Sequence, residues 1–206
     1  MLIRRQPQNN SQANFTLRYT LIPDIVQPMA EDPSEFQRRA IALHAAYHAG
    51  DLKSIRKLLD DPLGFPNSQQ PYELGCAGTP LEYAFCWSPA SLIRELLEIG
   101  ADVNYSVVDG IPALFTLLET DREDKYDLLT LMLDHGADIH QRGINDWTPL
   151  HYAVAQRDRK AAEILIAHGA DPHLKTRIDA YTSALEDAER YGLDDLAAIL
   201  RNRTNA

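Results

Sequence analysis

The sequence lacks the usual marks of secreted, membrane-spanning and catalytic proteins. Only two of its 206 residues are cysteine, Cys76 and Cys86, so neither a disulfide framework nor a four-cysteine zinc site can form. No apolar run approaches the roughly 20 residues that cross a bilayer, and no apolar signal segment follows the charged N-terminus. Glycine-rich phosphate-binding motifs and the Gly-x-Ser-x-Gly nucleophile motif are also missing. We therefore expect a cytoplasmic, non-enzymatic protein without a cofactor.

Basic residues are scarce and acidic residues are concentrated in one part of the chain. The formal net charge is −10, and residues 41–147 alone carry seven basic and seventeen acidic side chains. Nucleic-acid binding needs clustered lysine and arginine to neutralise phosphates, so a nucleic-acid partner is excluded. An acidic surface commonly serves only solubility. The alternative is that residues 41–147 face a protein partner with a basic surface.

Two short motifs recur along the chain in a fixed phase. The triplet Gly-Ala-Asp occurs at 100–102, 136–138 and 169–171, each time after an apolar stretch with helical spacing. Thr-Pro-Leu occurs at 79–81 and 148–150, in each case 21 residues before a Gly-Ala-Asp triplet. Degenerate copies begin at 41, 111 and 183. The sequence therefore predicts five repeated units that start near 41, 79, 111, 148 and 183.

Each motif has a physical role at the end of a helix. Thr79 and Thr148 are suited to cap a helix N-terminus, because their hydroxyl oxygens can accept bonds from free backbone N–H groups. The glycine of each triplet suits the left-handed residue that ends a helix. The sequence also predicts that a proline occupies the first helical position, where its missing N–H costs nothing, at Pro80, Pro112 and Pro149. Each unit is then a pair of helices that must stack on its neighbours to bury its apolar stripe.

These motifs resemble the ankyrin repeat, which has a period of 33 residues and the signature Thr-Pro-Leu-His-x-Ala. The resemblance covers residues 36–203 and implies an all-α solenoid of about five helix-turn-helix units joined by β-hairpin-like loops. Residues 119–127 lengthen the turn inside the third unit, and residues 60–78 replace a short hairpin with a longer loop. Residues 1–35 form an irregular or extended arm, in which alternating apolar residues predict a strand over 14–22. We expect this strand to lie against the first unit, with partner binding by the arm as the alternative.

The histidines recur at matching positions of the units. His44 and His48 share a helical face, but no third ligand is evident. His44 matches His151, and two further pairs match in the same way, His135 with His168 and His140 with His173. Recurrence in phase indicates a structural role, so we expect no bound metal.

The resemblance implies a protein partner bound along the concave groove, which hairpin tips and the ends of the first helices line. Leu118 is expected to face this groove together with its neighbour Glu119. Trp87 is the main candidate, whereas Trp147 has the alternative of packing across its own hairpin. The predicted binding residues are Trp87, Tyr105, Asp109, Glu119, Arg142, Asn145, Trp147, Gln156, Arg190 and Tyr191.

The sequence leaves more specific functions open. We expect a protein that is monomeric on its own and acts as an interaction module. A dedicated inhibitor or immunity-type protein, or a secreted effector directed at a host protein, is the alternative. An enzyme with an unrecognised site is a weaker alternative.

Overall fold

The computed structural model describes residues 33–70, 78–105, 111–178 and 181–202. The strand predicted over 14–22 lies outside the described residues, as do Asp109 and Cys76. Helix α1 begins at Pro33, ahead of the domain boundary expected at 36. The described residues form ten α-helices: α1 (Pro33–Ala49), α2 (Leu52–Leu58), α3 (Pro80–Trp87), α4 (Ala90–Glu98), α5 (Ala113–Glu119), α6 (Lys125–Asp134), α7 (Pro149–Ala155), α8 (Arg159–Ala167), α9 (Ala184–Arg190) and α10 (Asp194–Asn202).

The helices pack as five successive pairs. The odd-numbered first helix of each pair contacts the first helix of the next pair, so α1, α3, α5, α7 and α9 form one continuous layer. Among the second helices, α8 contacts both α6 and α10. A single apolar core runs between the layers, from Leu43 in the first unit to Leu200 in the last. This arrangement confirms the predicted all-α solenoid of helix-turn-helix units.

The predicted threonine caps are present and are reciprocal. The Thr79 hydroxyl accepts from the Glu82 N–H at 3.4 Å, and the Glu82 carboxylate accepts from the Thr79 N–H at 3.3 Å. Thr148 and His151 form the same arrangement in the fourth unit. Each cap satisfies backbone donors that the first helical turn leaves free.

One helix start differs from the prediction. Pro80 and Pro149 are first helical residues, but Pro112 is the residue before α5 and has no side-chain cap bond. The prediction for Pro112 was therefore wrong by one position. Ile111 stands where the other units have threonine, and its hydrocarbon side chain cannot accept a hydrogen bond.

The Gly-Ala-Asp triplets end the second helices as predicted. The φ angles of Gly100, Gly136 and Gly169 are +94°, +84° and +112°, a left-handed conformation that glycine adopts without steric cost. In each triplet the alanine N–H then donates to a carbonyl in the last turn, for example from Ala101 to Leu96 at 2.9 Å.

A ladder of polar side chains fixes each loop to the next unit. Asn67 donates to the Gly100 carbonyl at 2.9 Å and accepts from the Asp102 N–H at 2.7 Å. Asn104 bonds in the same way to the Gly136 carbonyl and the Asp138 N–H. His140 accepts from the Asp171 N–H at 3.0 Å. The ladder therefore sets the spacing of consecutive hairpin tips.

The lengthened turn of the third unit folds back onto the second unit. It spans residues 120–124 between α5 and α6, whereas the matching turns between α3 and α4 and between α7 and α8 span 88–89 and 156–158. Arg122 donates to the carbonyls of Phe85 at 3.2 Å and Ser88 at 2.7 Å, and it forms an ion pair with Asp124. The insertion thus links two neighbouring units.

Candidate functional site

The ends of the first helices form a row of side chains along one layer of the solenoid. Gln156, Arg190 and Tyr191 are exposed, whereas Trp87 and Glu119 are half-buried. Leu118 is only 5% exposed, so the expectation that it faces the groove was wrong. Leu118 lies one helical turn after Leu114, and both belong to the core-facing side of α5.

Trp87 is part of an aromatic cluster between the first two units. Its ring centroid lies 5.4 Å from that of His44 and 5.8 Å from that of His48. The indole N–H is shielded from solvent and has no hydrogen-bond partner among the described residues. Trp87 is therefore more enclosed than the sequence predicted, and its buried N–H is not available to a partner.

The two histidines of this cluster also have structural contacts. His44 Nδ1 shares a hydrogen bond with the Tyr83 hydroxyl, and its ring lies 4.6 Å from that of His48. Burial and the neighbouring His48 lower the pKa of His44, so the neutral imidazole is favoured. Within the ranges that the structure describes, no group of three histidine, cysteine or acidic side chains is placed to hold a metal ion.

A second aromatic group lies between the third and fourth units and includes two predicted residues. The Tyr152 ring lies 5.4 Å from Phe115 and 6.5 Å from Trp147, and Gln156 donates to its hydroxyl at 3.1 Å. Tyr152 therefore brings Trp147 and Gln156 together, although the sequence analysis missed it. A signal was available, because Tyr152 and Tyr83 stand at the same position of their units.

The hairpin tip before the fourth unit holds an ionic group around one buried carboxylate. The Asp146 side chain is 7% exposed and contacts Arg142 and Arg177, each at 2.5 Å. The pKa of Asp146 is lowered to about 2, mainly by the hydrogen bonds from Arg177. The positive charge of Arg142 lowers it further. Arg142 also donates to the Lys175 carbonyl, so this predicted binding residue has an internal role, while Asn145 is exposed.

The predicted residues that the structure describes are distributed over several units rather than gathered in one pocket. Trp87 and Glu119 belong to neighbouring units, whereas Arg190 and Tyr191 end the first helix of the last unit. Tyr105 is half-buried, and its carbonyl accepts from the Ala113 N–H at 3.3 Å. None of the helices in the described part of the chain is both long and apolar enough to span a bilayer.

Comparison with known proteins gives a consistent result. Residues 109–205 match the family model for ankyrin repeats (3 copies). The ankyrin repeat and KH domain-containing protein mask-1 of Caenorhabditis elegans is 29% identical over 110 residues, which are 53% of this chain and 4% of that protein. The ankyrin repeat protein FPV031 of fowlpox virus is 33% identical over 55% of this chain and 33% of its own length. The ankyrin repeat domain-containing protein M-T5 of myxoma virus is 35% identical over 33% of this chain and 14% of its own length. The chain thus spans a third or less of each of these relatives.

Proposed function

We propose that this chain, whose residues 109–205 match the family model for ankyrin repeats, is a non-enzymatic module that binds a partner protein along the groove formed by its first helices and hairpin tips. Ankyrin repeats generally mediate protein–protein interaction, and the family model that matches residues 109–205 is that of ankyrin repeats. The proposal rests mainly on two aromatic side chains in the layer of first helices. Trp87 and Tyr152 are both half-buried there and lie beside exposed polar residues. Interfaces concentrate their binding energy in such aromatic side chains.

The charge distribution supports a partner with a basic surface. Residues 41–147 hold the excess of acidic side chains, and they include the first three units and the Trp87 cluster. An acidic surface of this extent speeds the approach of an oppositely charged protein. We expect the association rate to fall as salt is raised from low to physiological concentration. An association rate that does not change with salt would contradict a basic partner, but it would not contradict protein binding.

The second candidate is an inhibitor, immunity-type protein or effector that occupies a host protein. Two of the relatives are ankyrin repeat proteins of poxviruses, and this similarity favours the effector over the other members of the class. The groove would serve both functions in the same way. The compartment in which the partner is found distinguishes an effector from a resident cytoplasmic module.

Substitution of Trp87 tests the groove. A partner is first captured with the full chain and purified, and its dissociation constant is then measured by calorimetry. We expect Trp87→Ala to weaken binding by about 2 kcal/mol, or roughly thirtyfold. Because Trp87 packs against His44 and His48, we also expect a modest loss of stability, which thermal melting followed by circular dichroism measures.

Tyr126→Ala is the matched control for this experiment. Tyr126 is also a half-buried aromatic residue, but it lies on the second-helix layer and donates to Asp158 at 3.0 Å. We expect it to lower stability and to leave the dissociation constant unchanged. If both folded variants bind with the affinity of the original chain, the groove around Trp87 is not the binding surface.

A further inference from the structure

An open cleft lies between the last two hairpin tips, away from the Trp87 cluster. Its volume is about 590 Å³, and its lining residues come from the loops that precede α7 and α9. They are Arg142, Gly143, Asn145, Asp146, Arg177 and Ile178, which we call the tip cleft. We propose that the tip cleft binds a carboxylate side chain of the protein partner. This inference rests on the proposed function and names a feature of the partner.

The ionic group in the tip cleft carries a net positive charge. Two guanidinium groups contact one buried carboxylate, that of Asp146, and the low pKa of that group keeps it ionised. One of the two positive charges is therefore not neutralised within the group. An incoming anion would complete the charge balance without displacing any existing bond.

Arg177 presents the edge that would contact this anion. Its Nε and Nη2 both donate to Asp146, at 3.1 and 2.5 Å, and its backbone N–H donates to the same carboxylate at 2.6 Å. Within the described residues no hydrogen bond involves its Nη1, and the side chain is 71% exposed. The outer edge of this guanidinium can therefore form two parallel bonds with a second carboxylate. Because Asp146 already fixes the side chain, little rotamer entropy is lost on binding.

Apolar surface beside Arg177 predicts which kind of residue stands next to the partner's carboxylate. Ile178 is 48% exposed and Tyr181 is 62% exposed, and the Tyr181 N–H donates to the Ile178 carbonyl at 3.5 Å. Large exposed apolar side chains beside a fixed cation are a typical composition of an interface hot spot. The expected occupant is an aspartate or glutamate of the partner that stands next to an apolar residue.

A small probe tests the tip cleft independently of the partner. The ¹⁵N-labelled full chain is titrated with N-acetyl-glutamyl-leucinamide and, in parallel, with its neutral glutaminyl analogue. We expect weak binding in the millimolar range, with amide and Arg Nε–H shifts confined to residues 141–147 and 174–182 and absent with the analogue. Equal shifts with both dipeptides, shifts elsewhere, or no shifts would overturn the inference. A response to inorganic phosphate but not to the glutamyl dipeptide would also overturn it.

Variants connect the binding to Arg177. We expect Arg177→Gln to raise the dissociation constant of the dipeptide at least fivefold. Arg201→Gln is the control, because Arg201 is another exposed arginine paired with one carboxylate, and it should change nothing. If Arg177→Gln does not fold, Arg177→Lys is tested instead. Lysine keeps the positive charge but cannot form two parallel hydrogen bonds with a carboxylate. A lysine variant that binds as tightly as the original would overturn the inference. If a partner protein still needs Trp87 for binding but the dipeptide does not bind, the inference about the tip cleft is wrong and the proposed function stands.

Discussion

Glu82 is a carboxyl group that the fold buries without completing its hydrogen bonds. Its side chain is 2% exposed, one oxygen accepts from the Thr79 N–H, and the other is buried without a partner in the part of the chain that the structure describes. Burial raises the pKa of Glu82 to about 7. In the fourth unit His151 occupies the same position, and its Nε2 hydrogen-bonds to the Thr182 carbonyl of the next unit at 3.1 Å. In the second unit this position thus suits a neutral side chain better than an anion.

We expect Glu82→Gln to stabilise the protein at neutral and alkaline pH but not at acidic pH. A carboxyl group whose folded pKa is raised supports the folded state at low pH, and this support is lost as the pH rises from about 4.5 to about 7. The neutral amide avoids that loss. Urea unfolding should therefore show a gain of roughly 2–3 kcal/mol at about pH 8 and little change at about pH 5.

Glu186→Gln is the control for the titration of Glu82. Glu186 has the same capping position in the fifth unit, but its pKa is lowered, first by the hydrogen bond from Lys175. Its substitution should bring no gain at alkaline pH. An equal effect of Glu82→Gln on the free energy of unfolding at both pH values would show that Glu82 does not titrate in this range.

At the scale of elements, the loop 120–124 contributes to stability through one side chain. Arg122 is 16% exposed and supplies donors to two carbonyls at the end of α3. Arg122→Ala should lower the free energy of unfolding by about 1–3 kcal/mol, because both carbonyls lose a charged donor. Arg159→Ala, which breaks an exposed pair with Glu163, should leave the free energy of unfolding nearly unchanged, because solvent screens that pair. Urea denaturation compares the two variants, and equal losses would mean that the loop is not an inter-unit link.

The helices could be predicted where residues close together in the sequence mark their ends. Thr148, Pro149 and Gly169 mark helix ends through their own backbone and capping chemistry, so the helix pairs followed from the sequence. The predictions for Leu118 and Pro112 were wrong because both depend on the register of the short helix α5. This helix has no threonine at its start that would mark the register.

The contacts of the candidate site were harder to predict because they join different units. Asp146 and Arg177 are 31 residues apart, and Arg122 and Phe85 are 37 apart, so no local pattern reveals them. These separations lie close to one repeat period. Polar residues one period apart are therefore candidates for such contacts, although their side-chain directions depend on loop geometry that the sequence does not determine.

At the scale of the whole molecule, the solenoid geometry predicts that stability is local. Among the described helices, the principal contacts join each unit to its direct neighbours, so removing the fifth unit should affect the fourth unit most. A chain that ends at residue 176 lacks the Thr182 carbonyl that His151 uses and the Arg177 side chain that Asp146 uses. It also exposes the faces of α7 and α8 that α9 and α10 cover.

We expect the truncated chain to remain folded in its first units and to loosen in its last. An unpaired buried polar group costs about 1–3 kcal/mol, and this cost falls on His151 in the fourth unit, while Asp146 in the preceding hairpin keeps Arg142 but loses Arg177. Hydrogen exchange should therefore show lost protection in α7 and α8 and retained protection in α3 and α4. Tyr191→Ser in the full chain is the control, because Tyr191 is 51% exposed and should leave all four helices protected. Equal loss of protection in α3 and α7 would instead mean that the units unfold as one cooperative block, with coupling that extends well beyond nearest neighbours.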